Sequence, residues 1–167
     1  MARLVEGRAG LTDRVKVSIA DYAVASEGLL TTSGLGSCLG IVISDPKNGI
    51  SGLVHPMLPS RDNDGSRPPE RFVDSGTVLL VEELLEAGAD ESALRAKITG
   101  GAAVVDFGTE DESIGDRNVA RAREILANQG IEIVDEEVGG DCGRTVHVEA
   151  ETGAVTVKRT DGVETEL

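Results

Sequence analysis

The sequence is poor in aromatic residues. Among its 167 residues there are no tryptophans, one tyrosine and two phenylalanines, so aromatics make up only 2% of the chain. A core must therefore be built from valine, leucine, isoleucine and alanine, and a hydrophobic content of 40% suffices for one core at this length. This composition argues against a protein that binds nucleic acid by stacking bases on aromatic side chains.

Basic residues are also scarce. Lysine and arginine total 16 against 30 aspartates and glutamates, which gives a net charge of −14, and only four of the basic residues are lysines. This charge repels phosphate groups, so we expect neither nucleic acid nor an anionic membrane surface as a partner. An acidic, lysine-poor chain is typical of proteins that work in concentrated salt, where a Debye length of about 3 Å at 1 M screens self-repulsion. An ordinary acidic protein is the alternative.

Long hydrophobic runs and a cysteine framework are missing as well. No stretch approaches the roughly 20 apolar residues that cross a bilayer, and residues 1–7 contain no signal-peptide core. Two cysteines do not make a disulfide scaffold. We therefore expect a cytoplasmic protein of a reducing compartment, without membrane insertion.

Hydrophobic periodicity predicts strands and helices that alternate along the chain. The runs 39–44 and 50–58 flank the turn 45–49 and predict a hairpin-like pair, although the first run is also compatible with a helical turn that leads into a strand. The other predicted strands cover residues 15–19, 97–105 (with a glycine break), 131–134, and the two arms of a C-terminal hairpin, 146–148 and 155–157.

Two helices are predicted between these strands. Asp74 or Ser75 can cap the first, which ends near Ala87 and Gly88, and Asp116 can cap the second, which ends at residues 128–130. Interleaved strands and helices predict a single α/β domain over residues 1–167. Residues 1–12 are expected to be loosely ordered, and residues 59–71, rich in proline and turn formers, to form a mobile surface loop.

The segment from Thr32 to His55 carries the candidate chemistry. Cys38 directly follows the glycine-rich turn Gly34–Ser37, and His55 comes 17 positions later in the facing run. A cysteine nucleophile needs a base for its proton, backbone N–H groups aimed at the developing oxyanion, and a group that holds the imidazole in the right tautomer. This segment meets all three requirements if the two apolar runs pair. His55 is then the base for Cys38, the turn provides the N–H groups, and Thr31 or Thr32 holds the imidazole. By spacing alone, a buried structural cysteine and histidine are the more common outcome.

Four further residues have side chains that could carry a function. Cys142 lies in a glycine-rich turn, where an incidental small residue is a more common outcome than a redox site. His147 alternates with Val146 and Val148, so we expect it to face solvent or the other face of the sheet. A zinc site built from Cys38, His55, Cys142 and His147 is disfavoured because the two cysteines lack the tight spacing of structural zinc sites, so no metal is expected. The pair Arg117-Asn118 at a helix start suits anion binding or partner docking as well as local capping.

The amino-acid sequences of two segments resemble those of one protein family. Residues 32–38 read Thr-Ser-Gly-Leu-Gly-Ser-Cys and residues 52–59 read Gly-Leu-Val-His-Pro-Met-Leu-Pro, which is similar to the chemoreceptor glutamine deamidase family, CheD. The similarity extends in order over roughly residues 14–159. Further matching segments are residues 97–102, 114–118, 139–144 and 153–158.

The resemblance implies roles for the site residues. Cys38 corresponds to the nucleophile, His55 to the general base and Thr32 to the third active-site residue, with Gly36 and Ser37 in the turn that forms the oxyanion site. Only the six-residue offset to Cys38 selects Thr32 over the neighbouring Thr31, and the stretch departs from the family pattern by reading Thr-Thr-Ser.

The resemblance also implies a fold and a function. The expected fold is a compact α/β domain of the cysteine-hydrolase-like deamidase type, with mixed β-sheets packed in layers and helices outside. The expected activity is conversion of glutamines on methyl-accepting chemoreceptors to glutamates through a cysteine thioester, at a shallow site and without metal or organic cofactor. A docking module that stimulates a CheC-type phosphatase and contacts archaeal motility adaptors is the alternative, and the two roles can coexist.

Overall fold

The computed structural model describes residues 4–5, 14–103 and 113–167. The described residues form eleven strands, two α-helices and two short 3₁₀ helices, at Pro69–Arg71 and Glu91–Ala93. The helices are α1 (Val73–Glu86) and α2 (Ile114–Asn128). The strands are β1 (Leu4–Val5), β2 (Arg14–Lys16), β3 (Tyr22–Ala25), β4 (Leu29–Leu35), β5 (Leu39–Asp45), β6 (Ile50–Val54), β7 (Arg95–Gly100), β8 (Glu132–Val138), β9 (Arg144–Glu149), β10 (Val155–Arg159) and β11 (Glu164–Glu166).

The strands form two mixed sheets. A six-stranded sheet has the order β1-β3-β6-β5-β7-β8, and a five-stranded sheet has the order β11-β10-β9-β4-β2. The pairs β1–β3 and β7–β8 are parallel in the first sheet and β2–β4 in the second, whereas their other neighbours run antiparallel. The α/β class and the mixed, layered sheets predicted from the sequence are confirmed.

The six-stranded sheet is the middle of three layers because its two faces belong to two different cores. On its central strand β5, Leu39, Ile41 and Ile43 pack with α1 and α2, whereas Val42 packs with the five-stranded sheet. All seven residues of β5 are buried. A strand that is covered on both faces has a continuous run of apolar residues instead of an alternating pattern. This explains why the sequence of this segment is compatible with either a strand or a helical turn.

The hairpin prediction is confirmed, and β5 is a strand throughout. Ile41 lies opposite Val54 in the antiparallel β5–β6 pair. The C-terminal hairpin is confirmed by the β9–β10 pair, and β11 extends it with a strand that the sequence analysis missed. Several strand boundaries were wrong, and the run predicted over 50–58 is a strand only as far as Val54. The strand predicted at 15–19 ends at Lys16, β8 runs on to Val138, and β7 ends at Gly100, while residues 104–105 of its predicted range lie outside the described residues.

Both predicted helix caps were wrong. Helix α1 begins at Val73 and has no side-chain cap; the Asp74 carboxylate instead accepts the N–H groups of Arg61 and Ser75. Helix α2 is capped by Ser113, whose hydroxyl accepts the N–H of Asp116 at 3.1 Å. In both cases the helix starts before the predicted residue. The predicted helix ends are confirmed, and Gly88 and Gly130 follow them with positive φ.

The predicted loop at 59–71 lies at the surface for most of its length. Residues 62–68 are exposed, but Pro69–Arg71 forms a 3₁₀ helix that buries Glu70 and leads into α1. Residues 1–12 are predicted to be loosely ordered, and of these only the two residues of β1 are among the described residues. Neither helix in the described part of the chain has the length and hydropathy of a membrane span.

Candidate functional site

The predicted site residues lie where the chain passes between the two sheets. Thr32 is in β4 of the five-stranded sheet, Cys38 is in the connection from β4 to β5, and His55 directly follows β6. The β5–β6 hairpin brings the last two together, because Leu39 N–H donates to the Pro56 carbonyl at 3.2 Å. The residues that follow Cys38 and His55 are therefore hydrogen-bonded to each other.

The turn before Cys38 is shorter than predicted. Strand β4 continues to Leu35, so the predicted turn Gly34–Ser37 is reduced to residues 36–38. The pairing of β4 with β9 shifts register between Thr32 and Leu35, and Gly34 has a φ of +72°. A glycine in this conformation accommodates a bulge at which the strand bends toward the other sheet.

Thr32 sets the tautomer of His55. Thr32 Oγ1 lies 2.7 Å from the Val17 carbonyl oxygen and 2.8 Å from His55 Nδ1. The carbonyl can only accept, so the single hydroxyl proton of Thr32 is donated to Val17. Thr32 Oγ1 must then accept the proton on His55 Nδ1. His55 Nε2 is consequently the ring nitrogen that carries a lone pair.

The structure distinguishes Thr32 from Thr31 by the alternation of the strand. Thr32 is 1% exposed and turned inward, whereas Thr31 is only half-buried and lies opposite His147 of β9. Successive side chains of a strand point to opposite faces, so only one of the two threonines reaches the imidazole.

Burial keeps the pair of thiol and imidazole neutral. His55 is 1% exposed, and burial lowers its pKa from 6.5 to about 4. Cys38 is 9% exposed, and burial raises the pKa of its thiol above the ordinary value of 9.0. His55 Nε2 is buried without a hydrogen-bond partner among the described residues, so the thiol does not bond to it in this resting state. Such contacts commonly tighten only when substrate binds.

The backbone of His55 is fixed on both sides. Its N–H donates to the Asp21 carbonyl at 3.1 Å, and its carbonyl accepts the N–H of Ala20 at 2.8 Å. The segment before β3 thus holds the backbone of His55, and Thr32 of β4 holds its imidazole ring. None of these three contacts involves the Cys38 turn.

The carbonyl groups of the turn are all engaged. The Gly36 oxygen accepts from Ala102 N–H at 2.8 Å, and the Cys38 oxygen accepts from Gly101 N–H at 3.0 Å. The Ser37 oxygen accepts from Asn118 Nδ2 at 2.8 Å. The N–H of Ser37 donates to no backbone oxygen of the described residues, and the N–H of Cys38 is hydrogen-bonded to its own sulfur. Burial raises the pKa of this thiol more than that hydrogen bond lowers it. The turn thus places two adjacent backbone donors beside the thiol, which is the arrangement of an oxyanion site.

Two glycines allow the chain to approach this turn. Gly100 has a φ of +101°, and a Cβ there would lie 2.4 Å from the Cys38 carbonyl oxygen. Gly115, at the start of α2, packs so closely on the preceding segment that a Cβ would lie 2.4 Å from the Gly101 oxygen. These contacts place the first turn of α2 against the Cys38 turn.

Asn118 is the site residue whose role the sequence analysis missed. It is fully buried, and its Nδ2 donates to the Met57 oxygen at 3.1 Å as well as to Ser37. Neither anion binding nor partner docking fits a buried side chain, whereas the adjacent Arg117 is exposed. The sequence carries no local signal for this role, because the two carbonyls are 61 and 81 positions away along the chain.

The remaining candidates do not join the site. Cys142 is half-buried, with its thiol 3.6 Å from Asp141 Oδ1. His147 lies in β9 between Thr31 and Thr156 of the neighbouring strands. In the described part of the chain, no group of three or more histidine, cysteine or acidic side chains could hold a metal ion. A cleft of about 480 Å³ between α1 and α2 is lined by other residues, among them Asp74 and Arg121.

Comparison with solved structures gives partial overlaps at low sequence identity. The crystal structure of the hypothetical protein YfiH from Bacillus licheniformis matches with a TM-score of 0.43 and 13% identity over 70% of this chain and 49% of that protein. A protein from Neisseria meningitidis matches with a TM-score of 0.44 and 12% identity over 77% of this chain and 62% of that protein. The chain thus spans half to two thirds of these proteins.

Comparison with known sequences gives far stronger matches. Residues 57–159 match the family model described as CheD chemotactic sensory transduction. A probable chemoreceptor glutamine deamidase CheD from Natronomonas pharaonis is 66% identical over 93% of this chain and 94% of its own length. A protein of the same name from Haloarcula marismortui is 49% identical over 87% of this chain and 85% of its own length. Both sources are halophilic, in agreement with the acidic composition. The chain belongs to the CheD family.

Proposed function

We propose that this protein deamidates specific glutamine side chains of methyl-accepting chemoreceptors, with Cys38 as the nucleophile, His55 as the general base and Thr32 as the residue that orients His55. The names of its relatives supply the substrate class. The observation that carries the assignment of residues is the chain of hydrogen bonds from His55 Nδ1 through Thr32 to Val17. It leaves Nε2 as a buried acceptor, which is the state a general base needs.

In the first half of the reaction, the amide is exchanged for a thioester. His55 Nε2 takes the proton of the Cys38 thiol as sulfur attacks the side-chain amide carbon of the glutamine. The oxygen of the tetrahedral intermediate accepts hydrogen bonds from the N–H groups of Ser37 and Cys38, each worth about 3 kcal/mol in comparable sites. The C–N bond then breaks, and ammonia leaves with the proton held by His55.

In the second half, water replaces the sulfur. His55, neutral again, takes a proton from water as the oxygen attacks the thioester carbon. The C–S bond breaks, the proton returns to Cys38, and the glutamine has become glutamate. Because burial lowers the pKa of His55 to about 4, the imidazole starts each half-reaction neutral at physiological pH. Cys38 is 9% exposed, so its surroundings exclude most water from the thiol at which the glutamine side chain reacts.

The competing function is a docking protein that binds a CheC-type phosphatase and archaeal motility adaptors, and we propose these as additional partners on the strength of the family. A docking surface needs neither a buried thiol nor a nearby imidazole with an accepting nitrogen, so the site chemistry favours the deamidase. The proposed reaction takes place in the cytoplasm, because the substrate glutamines belong to the cytoplasmic region of the receptors.

The test is mass spectrometry of a receptor cytoplasmic fragment incubated with the protein in concentrated salt, which screens repulsion from a net charge of −14. The wild-type protein is compared with Cys38→Ala and His55→Ala. Cys142→Ala is the matched control, because it removes the other cysteine of the chain. We expect amide-to-acid conversion at specific glutamines with the wild-type protein and Cys142→Ala, and none with the other two variants.

Two results would overturn the proposal. Conversion that persists in Cys38→Ala would exclude the thioester route. No conversion by the wild-type protein, together with retained binding of a CheC-type phosphatase, would transfer the assignment to the docking function.

A further inference from the structure

We propose that Asn118 is a positioning residue that aims the backbone N–H of Cys38 at the oxyanion, and this inference deepens the proposed function and rests on it. The side chain of Asn118 touches neither the thiol nor the imidazole through any described hydrogen bond. It acts through the peptide unit between Ser37 and Cys38. Its amide nitrogen lies 2.8 Å from the Ser37 oxygen at one end of that unit.

Peptide geometry couples the Ser37 oxygen to the Cys38 N–H. The carbonyl of Ser37 and the N–H of Cys38 belong to the same planar, trans peptide group, so they point in opposite directions. A donor that holds the Ser37 oxygen on one side therefore fixes the direction of the Cys38 N–H on the other. The neighbouring peptide is held in the same way by Ala102 N–H on the Gly36 oxygen, which aims the N–H of Ser37.

Asn118 is the one of these two donors that is a side chain, and so it can be removed by substitution. Ala102 acts through its backbone N–H, which only a proline substitution would remove. Asn118 also donates to the Met57 oxygen at 3.1 Å, which ties the segment after His55 to the same residue of α2. Both contacts are to carbonyl oxygens, so the amide nitrogen must face them.

Asn118 donates two hydrogen bonds but does not satisfy all of its own polar atoms, which a role in stability alone does not explain. Its Oδ1 is buried and has no hydrogen-bond partner among the described residues. An unsatisfied buried acceptor is a cost to the folded state, which a small apolar side chain would not carry. The amide is explained by its two donated bonds, and both end on the segments that carry the proposed nucleophile and base.

The contacts made by His55 itself do not include Asn118. The imidazole is held by Thr32, and the His55 backbone is held by Asp21 and Ala20. Loss of Asn118 should therefore impair the oxyanion site while the proton transfer from Cys38 to His55 is largely preserved. This separation provides a test that a merely structural role would not satisfy.

The experiment compares two reactions of Cys38 in a Cys142→Ala background, where it is the sole thiol. Acylation by p-nitrophenyl acetate passes through a tetrahedral oxyanion, whereas alkylation by iodoacetamide does not. We expect Asn118→Ala to lower the acylation rate by about 30-fold and the alkylation rate by less than about threefold, since only the first uses the aimed N–H. Asn118→Ser, which removes less volume and can still donate to one carbonyl, should lower acylation to an intermediate extent.

The matched control is Ala122→Gly, one turn further along α2, where the side chain is equally buried but packs only in the apolar core. It lowers helix stability by about 1 kcal/mol without touching the site, and it should leave the ratio of the two rates unchanged. Thermal unfolding checks that all variants are folded. An unchanged ratio of acylation to alkylation in both Asn118 variants would overturn the inference. If this ratio falls as expected but the wild-type protein does not convert receptor glutamines, the proposed function fails while the positioning role stands.

Discussion

The buried, neutral state of His55 should appear in the pH dependence of folding stability. Burial lowers the pKa of His55 to about 4 in the folded protein, against 6.5 as its ordinary value. The perturbation is His55→Asn, whose amide can still donate to Thr32 from the position of Nδ1 but does not titrate. The difference in free energy of unfolding between the two proteins isolates the titration of this one side chain.

The sign and size follow from linkage. Between pH 6.5 and pH 4 the unfolded chain binds a proton at His55 that the folded protein does not, so stability falls as pH falls through this window. A pKa change of this size corresponds to about 3 kcal/mol in total, of which about 2 kcal/mol is lost between pH 7 and pH 5. Below pH 4 both states are protonated, and no further loss comes from this residue.

The assay is urea unfolding in concentrated salt at pH 7, 6 and 5, with the salt held constant. We expect the stability advantage of the wild-type protein over His55→Asn to shrink by about 2 kcal/mol across this range. The other histidine, His147, is only half-buried, so His147→Asn should change the pH dependence much less. Parallel stability curves for the wild-type protein and His55→Asn would refute the reasoning, because they would mean that His55 titrates normally in the folded protein.

Three further predictions test the site and its support. Thr32→Val should lower the rate of receptor deamidation by about 100-fold because His55 Nδ1 loses its acceptor. Thr31→Val should change this rate by less than about twofold. Equal losses in the two variants would contradict the role of Thr32 in setting the tautomer of His55. Alkylation of Cys38 should keep accelerating up to and beyond pH 9, since burial raises the pKa of its thiol; a plateau at neutral pH would instead reveal a preformed thiolate. Gly100→Ala should cost about 2 kcal/mol or more, because its Cβ would meet the Cys38 oxygen, while Gly65→Ala, with open space around it, should cost less than about 0.5 kcal/mol in urea unfolding.

Local sequence signals predicted most elements of the fold but not their boundaries. Turn residues and alternation are short-range properties, so the β5–β6 hairpin and the ends of both helices could be predicted. The starts of both helices could not. Only Phe72 separates the 3₁₀ helix Pro69–Arg71 from the start of α1 at Val73. Ser113 occupies the capping position of α2, for which Asp116 is also suitable by residue type. Such choices depend on what the first turn packs against.

The sequence alone determined the family of the protein, and it predicted Cys38 and His55 as the reacting pair because the glycine-rich turn and the histidine segment are continuous stretches with distinctive residues. Only the tertiary structure shows that Thr32, and not Thr31, contacts the imidazole, because this depends on which face of β4 points at His55. The same holds for Asn118, which meets two carbonyls that are remote along the chain but adjacent in space. Hydrogen bonds between distant segments leave no periodic signal in a sequence, and here they fix the tautomer of His55 and the direction of the backbone donors beside Cys38.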